Sequence, residues 1–178
     1  MGFMLDLDLK KCTACGACAI ACMDQNDIDT EKGIRPFRTV FDREAGGGLG
    51  ERKAEYVHVS IACMHCEDAP CIQACPCACI RKDEATNLTV YDNTRCIGCH
   101  SCAMACPFGI PSFNEEGHMQ KCDGCAVRVR HGLEPACVRV CPSGALRLVR
   151  TEEIAQADEE HSLERAGEKI LRAQGIDF

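Results

Sequence analysis

The chain has 178 residues, enough for one domain or two small ones. It carries 18 cysteines but no Trp, two Tyr and six Phe, so conventional apolar burial is a weak basis for its core. A formal net charge of −7 argues against a nucleic-acid binder, which needs a basic face for phosphate contacts.

In chain order, the opening "MGFMLDLDLKKC" has acidic residues where a signal peptide needs a basic stretch and an unbroken apolar run, and it lacks a twin-arginine pair. No apolar run approaches the roughly 20 residues of a membrane span. The expectation is a soluble, cytoplasmic protein in a reducing compartment, where cysteines bind metal more often than each other. The first block, "CTACGACAIAC", places Cys12, Cys15, Cys18 and Cys22 at C-x2-C-x2-C-x3-C. Next, "RTVF" and "YVHVSI" read as strands, joined by a Gly-rich loop at 46–50. No Gly-Lys-Ser/Thr follows that loop, so it predicts a hairpin tip or a partner-facing insertion and no nucleotide site. The second block, "CMHCEDAPCIQACP", holds Cys63, Cys66, Cys71 and Cys75 as C-x2-C-x4-C-x3-C. "NLTVYDNTRC" then reads as a strand leading into a loop. The third block, "CIGCHSCAMACP", repeats the first spacing with Cys96, Cys99, Cys102 and Cys106. The fourth, "CDGCAVRVRHGLEPACVRVCP", holds Cys122, Cys125, Cys137 and Cys141 as C-x2-C-x11-C-x3-C. The tail predicts a helix over 151–178. Thr151 is its cap, Glu152 and Glu153 its acidic first turn, and Gly175 its stop. Ile154, Ala157, Leu163, Ala166, Ile170 and Ala173 recur at helical spacing, for packing on the chain's own core or on a partner subunit.

Blocks one and three are one type, and blocks two and four another, so the chain reads as an internal duplication. Three closely spaced thiolates on a tight loop reach three irons of one cubane, and in two-cluster ferredoxins the fourth ligates the other cluster. Small residues inside the loops (Ala14, Gly16, Ala17, Gly98, Ser101, Gly124) allow close backbone approach, with amide N–H groups aimed at sulfur. Three blocks end in Cys-Pro, which stops a helix there. Zinc is the competing reading of C-x2-C pairs, but a zinc ribbon needs two such pairs and not four spaced quartets. With cysteine at all sixteen positions, the expectation is four [4Fe–4S] clusters. The short gap from Cys75 to Cys96 favours blocks two and three as one module and leaves blocks one and four for the other.

On these four motifs, and on "CxHCxxxPC" in particular, the chain resembles the four-cluster ferredoxin-type electron-transfer subunits of molybdenum- or tungsten-pterin oxidoreductases. Formate dehydrogenases, formate hydrogenlyase and the dimethyl sulfoxide, thiosulfate and polysulfide reductases contain such subunits. The resemblance covers residues 12–146 and implies nested ligation. Cys12, Cys15, Cys18 and Cys141 would hold one cluster, and Cys22, Cys122, Cys125 and Cys137 a second. Cys63, Cys66, Cys71 and Cys106 would hold the third, and Cys75, Cys96, Cys99 and Cys102 the fourth. The implied fold is α+β, with two ferredoxin-like two-cluster modules, few long helices and a C-terminal helix. The modules span 1–22 plus 107–150 and 56–106, with an insertion at 23–55 and the tail at 151–178. Family members bound to membranes carry a C-terminal anchor, and this chain ends soon after its fourth block, so no membrane anchor is expected.

No nucleophile, acid–base pair or substrate pocket is visible, so the chain is expected to be non-catalytic alone. The resemblance implies electron transfer between a large molybdenum- or tungsten-pterin subunit, with formate or aldehyde oxidation favoured, and a second redox subunit or ferredoxin. A free polyferredoxin and a zinc-stabilised interaction module are the alternatives. Alignment of "CPCACI" with "CPSGAL" and "CPFGIP" puts Cys75 in the ligand slot and leaves Cys77 and Cys79 as packing residues. His65 and His100 lie inside cysteine loops and are expected to pack or hydrogen-bond. Lys11, Arg95 and Lys121 precede the first cysteine of three blocks as solvated charges. The second block has Ala62 there, which predicts that its cluster is the hardest to reduce.

Overall fold

A computed structural model of the chain describes residues 2–32, 34–45 and 55–150; the expected loop at 46–50 and helix over 151–178 lie outside them. The first half runs β1 (Phe3–Leu7), α1 (Ala17–Gln25), β2 (Thr39–Ala45), β3 (Glu55–Ile61), α2 (Pro70–Gln73), β4 (Ile80–Lys82) and β5 (Thr89–Tyr91). The second runs α3 (Ser101–Ala105), β6 (Ser112–Phe113), β7 (Met119–Gln120), α4 (Ala126–Arg130), α5 (Ala136–Arg139) and β8 (Leu146–Arg150). The class is a small α+β fold, and no described helix is longer than the nine residues of α1. Four two-stranded antiparallel ladders pair β1 with β8, β2 with β3, β4 with β5, and β6 with β7.

The β1–β8 ladder ties residue 3 to residue 150, with Phe3 opposite Arg150 and Leu7 opposite Leu146. Leu5 and Leu7 point into the core. Asp6 is also buried, and Arg147, directly across the ladder, donates to its carboxylate at 2.5 Å. The "RTVF" and "YVHVSI" strands are present as β2 and β3, with Thr39 opposite Ile61. "NLTVY" supplies β5, and the 3-10 turn after it starts at Asp92, whose side chain accepts from Thr94 N–H at 2.9 Å.

The core is built partly from sulfur. One cluster packs Leu5, Leu7, Val59 and Leu146 with Cys18 and Cys137. A second packs Ile80 and Met119 with Cys71 and Cys102, drawing the β6–β7 hairpin toward α2 and α3. A third packs Ala62 and Ile110 with Cys63 and Cys122. Helix α1 lies against α5, and α2 against α3.

Candidate metal centre

Each cysteine loop turns in the same way. The second residue after the first cysteine has positive φ in all four blocks: 52° at Ala14, 50° at His65, 63° at Gly98 and 73° at Gly124. This left-handed residue folds the loop back so that the next cysteine faces the same space as the first. Glycine is demanded where backbone crowds in, since a Cβ on Gly98 would stand 2.6 Å from Gly117 O.

The C-x3-C end of each block lies on a short helix or its cap, which places two sulfurs one turn apart on one face. Cys18 and Cys22 sit on α1, and Cys137 and Cys141 on or just beyond α5; the pairs α1–α5 and α2–α3 bring these sulfurs together crosswise. Cys12, Cys15, Cys18 and Cys141 line one cleft of about 320 Å³, with its solvent mouth included. Cys22, Cys122, Cys125 and Cys137 line another of about 320 Å³. Cys75, Cys96, Cys99 and Cys102 line a third of about 310 Å³, which Cys77 and Cys79 also touch. Among the described residues, no three His, Cys, Asp or Glu side chains close on a single metal ion. The sulfurs surround a space rather than a point.

The thiols report the same neighbourhoods electrostatically. Burial raises the Cys12 thiol, and Cys18, Cys141 and Cys15 raise it further. Burial and then Cys137 and Cys125 push Cys22 up to about 11. For Cys71, also pushed up to about 11, burial comes first and the neighbours are Cys63, Cys106 and Cys66. Cys102 is raised by burial, with Cys75 and Cys99 beside it. Three of these groups line clefts, and Cys63, Cys66, Cys71 and Cys106 are electrostatic neighbours of one another. Thiols so crowded release their protons on binding a positively charged centre. These residues fit iron–sulfur clusters.

The three Cys-Pro segments repeat one turn. Ala78 N–H donates to Cys75 O at 3.3 Å, Gly109 N–H to Cys106 O at 3.1 Å, and Gly144 N–H to Cys141 O at 3.3 Å. Ala78, Gly109 and Gly144 all have positive φ, and the next residues, Cys79, Ile110 and Ala145, are all buried. Burial alone would raise Cys75, but the N–H groups of Cys79, Cys77 and Ile80 outweigh it, so the thiol ends below its ordinary value. Cys141 is lowered in the same way, by Leu146 and Ala145 N–H and the Ser143 hydroxyl against burial.

Several polar residues in the interior carry no sequence signal. Arg38 is 2% exposed, beside Cys137, Cys122, Cys18 and Cys22, and donates to Ser60 Oγ at 2.9 Å; that hydroxyl lies 3.3 Å from Cys18 Sγ. Lys82, half-buried, donates to His65 O at 3.1 Å and stands beside Cys63, Cys66 and Cys71. Lys121 corrects an expectation: it is 1% exposed, whereas Lys11 pairs with Asp8 at the surface and Arg95 is exposed. Its Nζ donates to Thr89 O and, at 2.8 Å, to Cys122 O, and lies 3.9 Å from Cys63 Sγ. The second block thus has two lysines beside it, and the argument that its cluster is hardest to reduce for want of a cation fails. His65 is buried; its Nδ1 accepts from Thr89 N–H at 2.9 Å, and Nε2 is 3.8 Å from Cys122 Sγ. Burial, and then Lys121, Lys82 and Arg38, hold it well below the ordinary histidine range, so it is neutral. His100 stacks on Phe113 at 3.7 Å.

Residues 54–151 match the family model of a 4Fe-4S dicluster domain. The chain is 39% identical over 156 residues to the probable anaerobic dimethyl sulfoxide reductase chain YnfG of Escherichia coli (strain K12), which covers 84% of this chain and 74% of that protein. It is 36% identical over 148 residues to the thiosulfate reductase electron transfer subunit PhsB of Salmonella typhi, at 82% and 74% coverage. With the nitrate-inducible formate dehydrogenase iron-sulfur subunit of Escherichia coli (strain K12) it shares 35% over 165 residues, 86% of this chain and 56% of that one.

Proposed function

This chain belongs to the 4Fe-4S dicluster family of iron–sulfur electron-transfer subunits of oxidoreductases, and from that premise we propose that it conducts single electrons along four [4Fe–4S] clusters. It is not catalytic alone. Its ligands are the four quartets Cys12/Cys15/Cys18/Cys141, Cys22/Cys122/Cys125/Cys137, Cys63/Cys66/Cys71/Cys106 and Cys75/Cys96/Cys99/Cys102. The observation that carries this reading is the crosswise meeting of the C-x3-C helices, which gives every quartet a fourth sulfur from a second block. The common left-handed position in all four loops supports an internal duplication. The contacts of α1 with α5 and of α2 with α3 support modules of 1–22 plus 107–150 and 56–106.

A bound [4Fe–4S] cluster supplies reversible one-electron chemistry. The residues around it hold the sulfurs, exclude water and set charge. Cys15 and Cys99 are exposed, as are the apolar side chains Ile20 and Met104, and the surfaces at Cys15 and Cys99 are the contact points for redox partners. The partners are a large molybdenum- or tungsten-pterin catalytic subunit and a second redox subunit or ferredoxin. The formate reading draws on the formate dehydrogenase relative, and the dimethyl sulfoxide reductase chain shares more identity. Substrate choice therefore belongs to the large partner. Among the described residues no helix is long and apolar enough to cross a membrane. A reducing compartment such as the cytoplasm suits cysteines that bind metal rather than each other.

Anaerobic purification from native cells tests this reading. The expected result is co-elution with a large pterin-containing subunit, with about four irons and four sulfides for each of four clusters. Elution alone near 19.4 kDa would favour a free carrier, and zinc without sulfide would end the proposal.

A further inference from the structure

His65 lies between Cys63 and Cys66, yet its ring reaches the first cysteine of block four, with Nε2 3.8 Å from Cys122 Sγ. Lys121 precedes Cys122, yet its Nζ lies 3.9 Å from the first cysteine of block two, Cys63. The two contacts cross, and Thr89 ties them together: its N–H is received by His65 Nδ1 and its carbonyl receives Lys121 Nζ. With Nδ1 accepting, the ring proton is on Nε2 and directed at sulfur. Gly124 makes the approach possible, because a Cβ there would stand 3.0 Å from the His65 ring.

Resting on the four-cluster reading above, we infer that His65 and Lys121 form a reciprocal clasp that raises the reduction potentials of the two inner clusters, at the Cys63 and Cys122 quartets, above those of the two outer ones. Reduction adds one negative charge to a cluster. A donor on a ligand sulfur or a nearby ammonium stabilises that charge and favours the reduced state. The effect depends on burial, since an interior charge acts about fourfold more strongly than one in bulk water at the same distance. Lys121 is 1% exposed. Arg38, 2% exposed, stands beside Cys137 and Cys122 of an inner quartet and also beside Cys18 of an outer one, so the difference between the pairs rests on Lys121 and His65. Lys11 and Arg95, which precede the outer quartets' first cysteines, are exposed and screened by solvent and salt. Electrons added one at a time therefore settle first on the inner pair.

The test is a potentiometric titration, followed by electron paramagnetic resonance, of the full chain with clusters loaded and in its native complex. Cys15→Ser and Cys99→Ser each remove or alter the signal of one outer cluster and so identify which signals of the unmodified protein are the outer ones. The expected order on lowering the potential is that both unmarked signals appear before the marked ones. Lys121→Met should shift one unmarked signal to lower potential and His65→Asn the other, with the marked signals unmoved. Asparagine tolerates the left-handed backbone of His65, whose φ is 50°, but is too short to reach Cys122. Outer signals that appear first in the unmodified protein would overturn the inference. So would a His65→Asn titration indistinguishable from the unmodified one, or variants that shift all four signals together. If Lys121→Met fails to load iron, the unmodified order and His65→Asn still decide. An iron and sulfide count below four clusters would fail the functional reading itself; four clusters in the wrong order would fail only this one.

Discussion

Cys75, Cys77 and Cys79 fall within five positions, but the turn after Cys75 gives them different surroundings. Three backbone N–H groups converge on the Cys75 sulfur, whereas Cys79 fills the buried position taken by Ala145 and Ile110 in the matching segments. Cys75→Ser is expected to cost one cluster, about four irons per chain, while Cys77→Ser and Cys79→Ser keep full iron. Iron and sulfide analysis of the three variants checks this; loss with Cys79→Ser and retention with Cys75→Ser would reverse the assignment. The groups of cysteines were readable because spacing dictates loop geometry: C-x2-C folds back and C-x3-C spans one helical turn. The environment of a lysine was not. Lys11 and Lys121 both precede a cysteine, and only packing from β5 and β7 distinguishes a paired surface charge from a buried one.

Among the elements, β2, β3 and β5 are legible as short β-branched runs, whereas β1 and β8 are not. Alternation was present in "FMLDL" and "LRLVR", although neither strand is stable until the other, more than a hundred residues away, pairs with it. A second long-range tie joins the turn after β4 to α4. Asp83 is buried, accepts from Thr86 N–H at 3.1 Å and pairs with Arg130, and that arginine holds its carboxyl down at about 2. The folded value lies below the unfolded one of about 3.9, so the stabilisation is complete above about pH 4 and fades as pH falls through about 2. Asp83→Asn should lower stability by on the order of 1–2 kcal/mol, a figure reduced for the part-exposed guanidinium. Anaerobic urea unfolding should show the same deficit at pH 7 and at pH 5. A deficit that shrinks within that range would assign the stabilisation to some other group.

At the scale of the whole molecule, cysteine takes the place of the missing aromatics, since three of the four apolar clusters among the described residues include ligand candidates. Iron removal should therefore unfold the chain rather than leave a stable apo form, because buried thiols would be left without a centre. Far-UV circular dichroism before and after anaerobic chelation measures this, and an unchanged spectrum would show that the polypeptide stands without iron. The cleft that joins Cys12, Cys15 and Cys18 to Cys141 also sets a timetable for biosynthesis. At translation rates of about 5–20 residues per second, the Cys12 loop waits on the order of ten seconds for its last sulfur. The quartets drawn from blocks two and three are complete once residue 106 has been made. Nascent chains arrested after residue 106 but before 122, once clear of the ribosome, should hold iron at those two quartets and none at Cys12. On the proposed ligation, the first cysteines to be synthesised are among the last to be filled, and in the meantime the cell must keep them reduced.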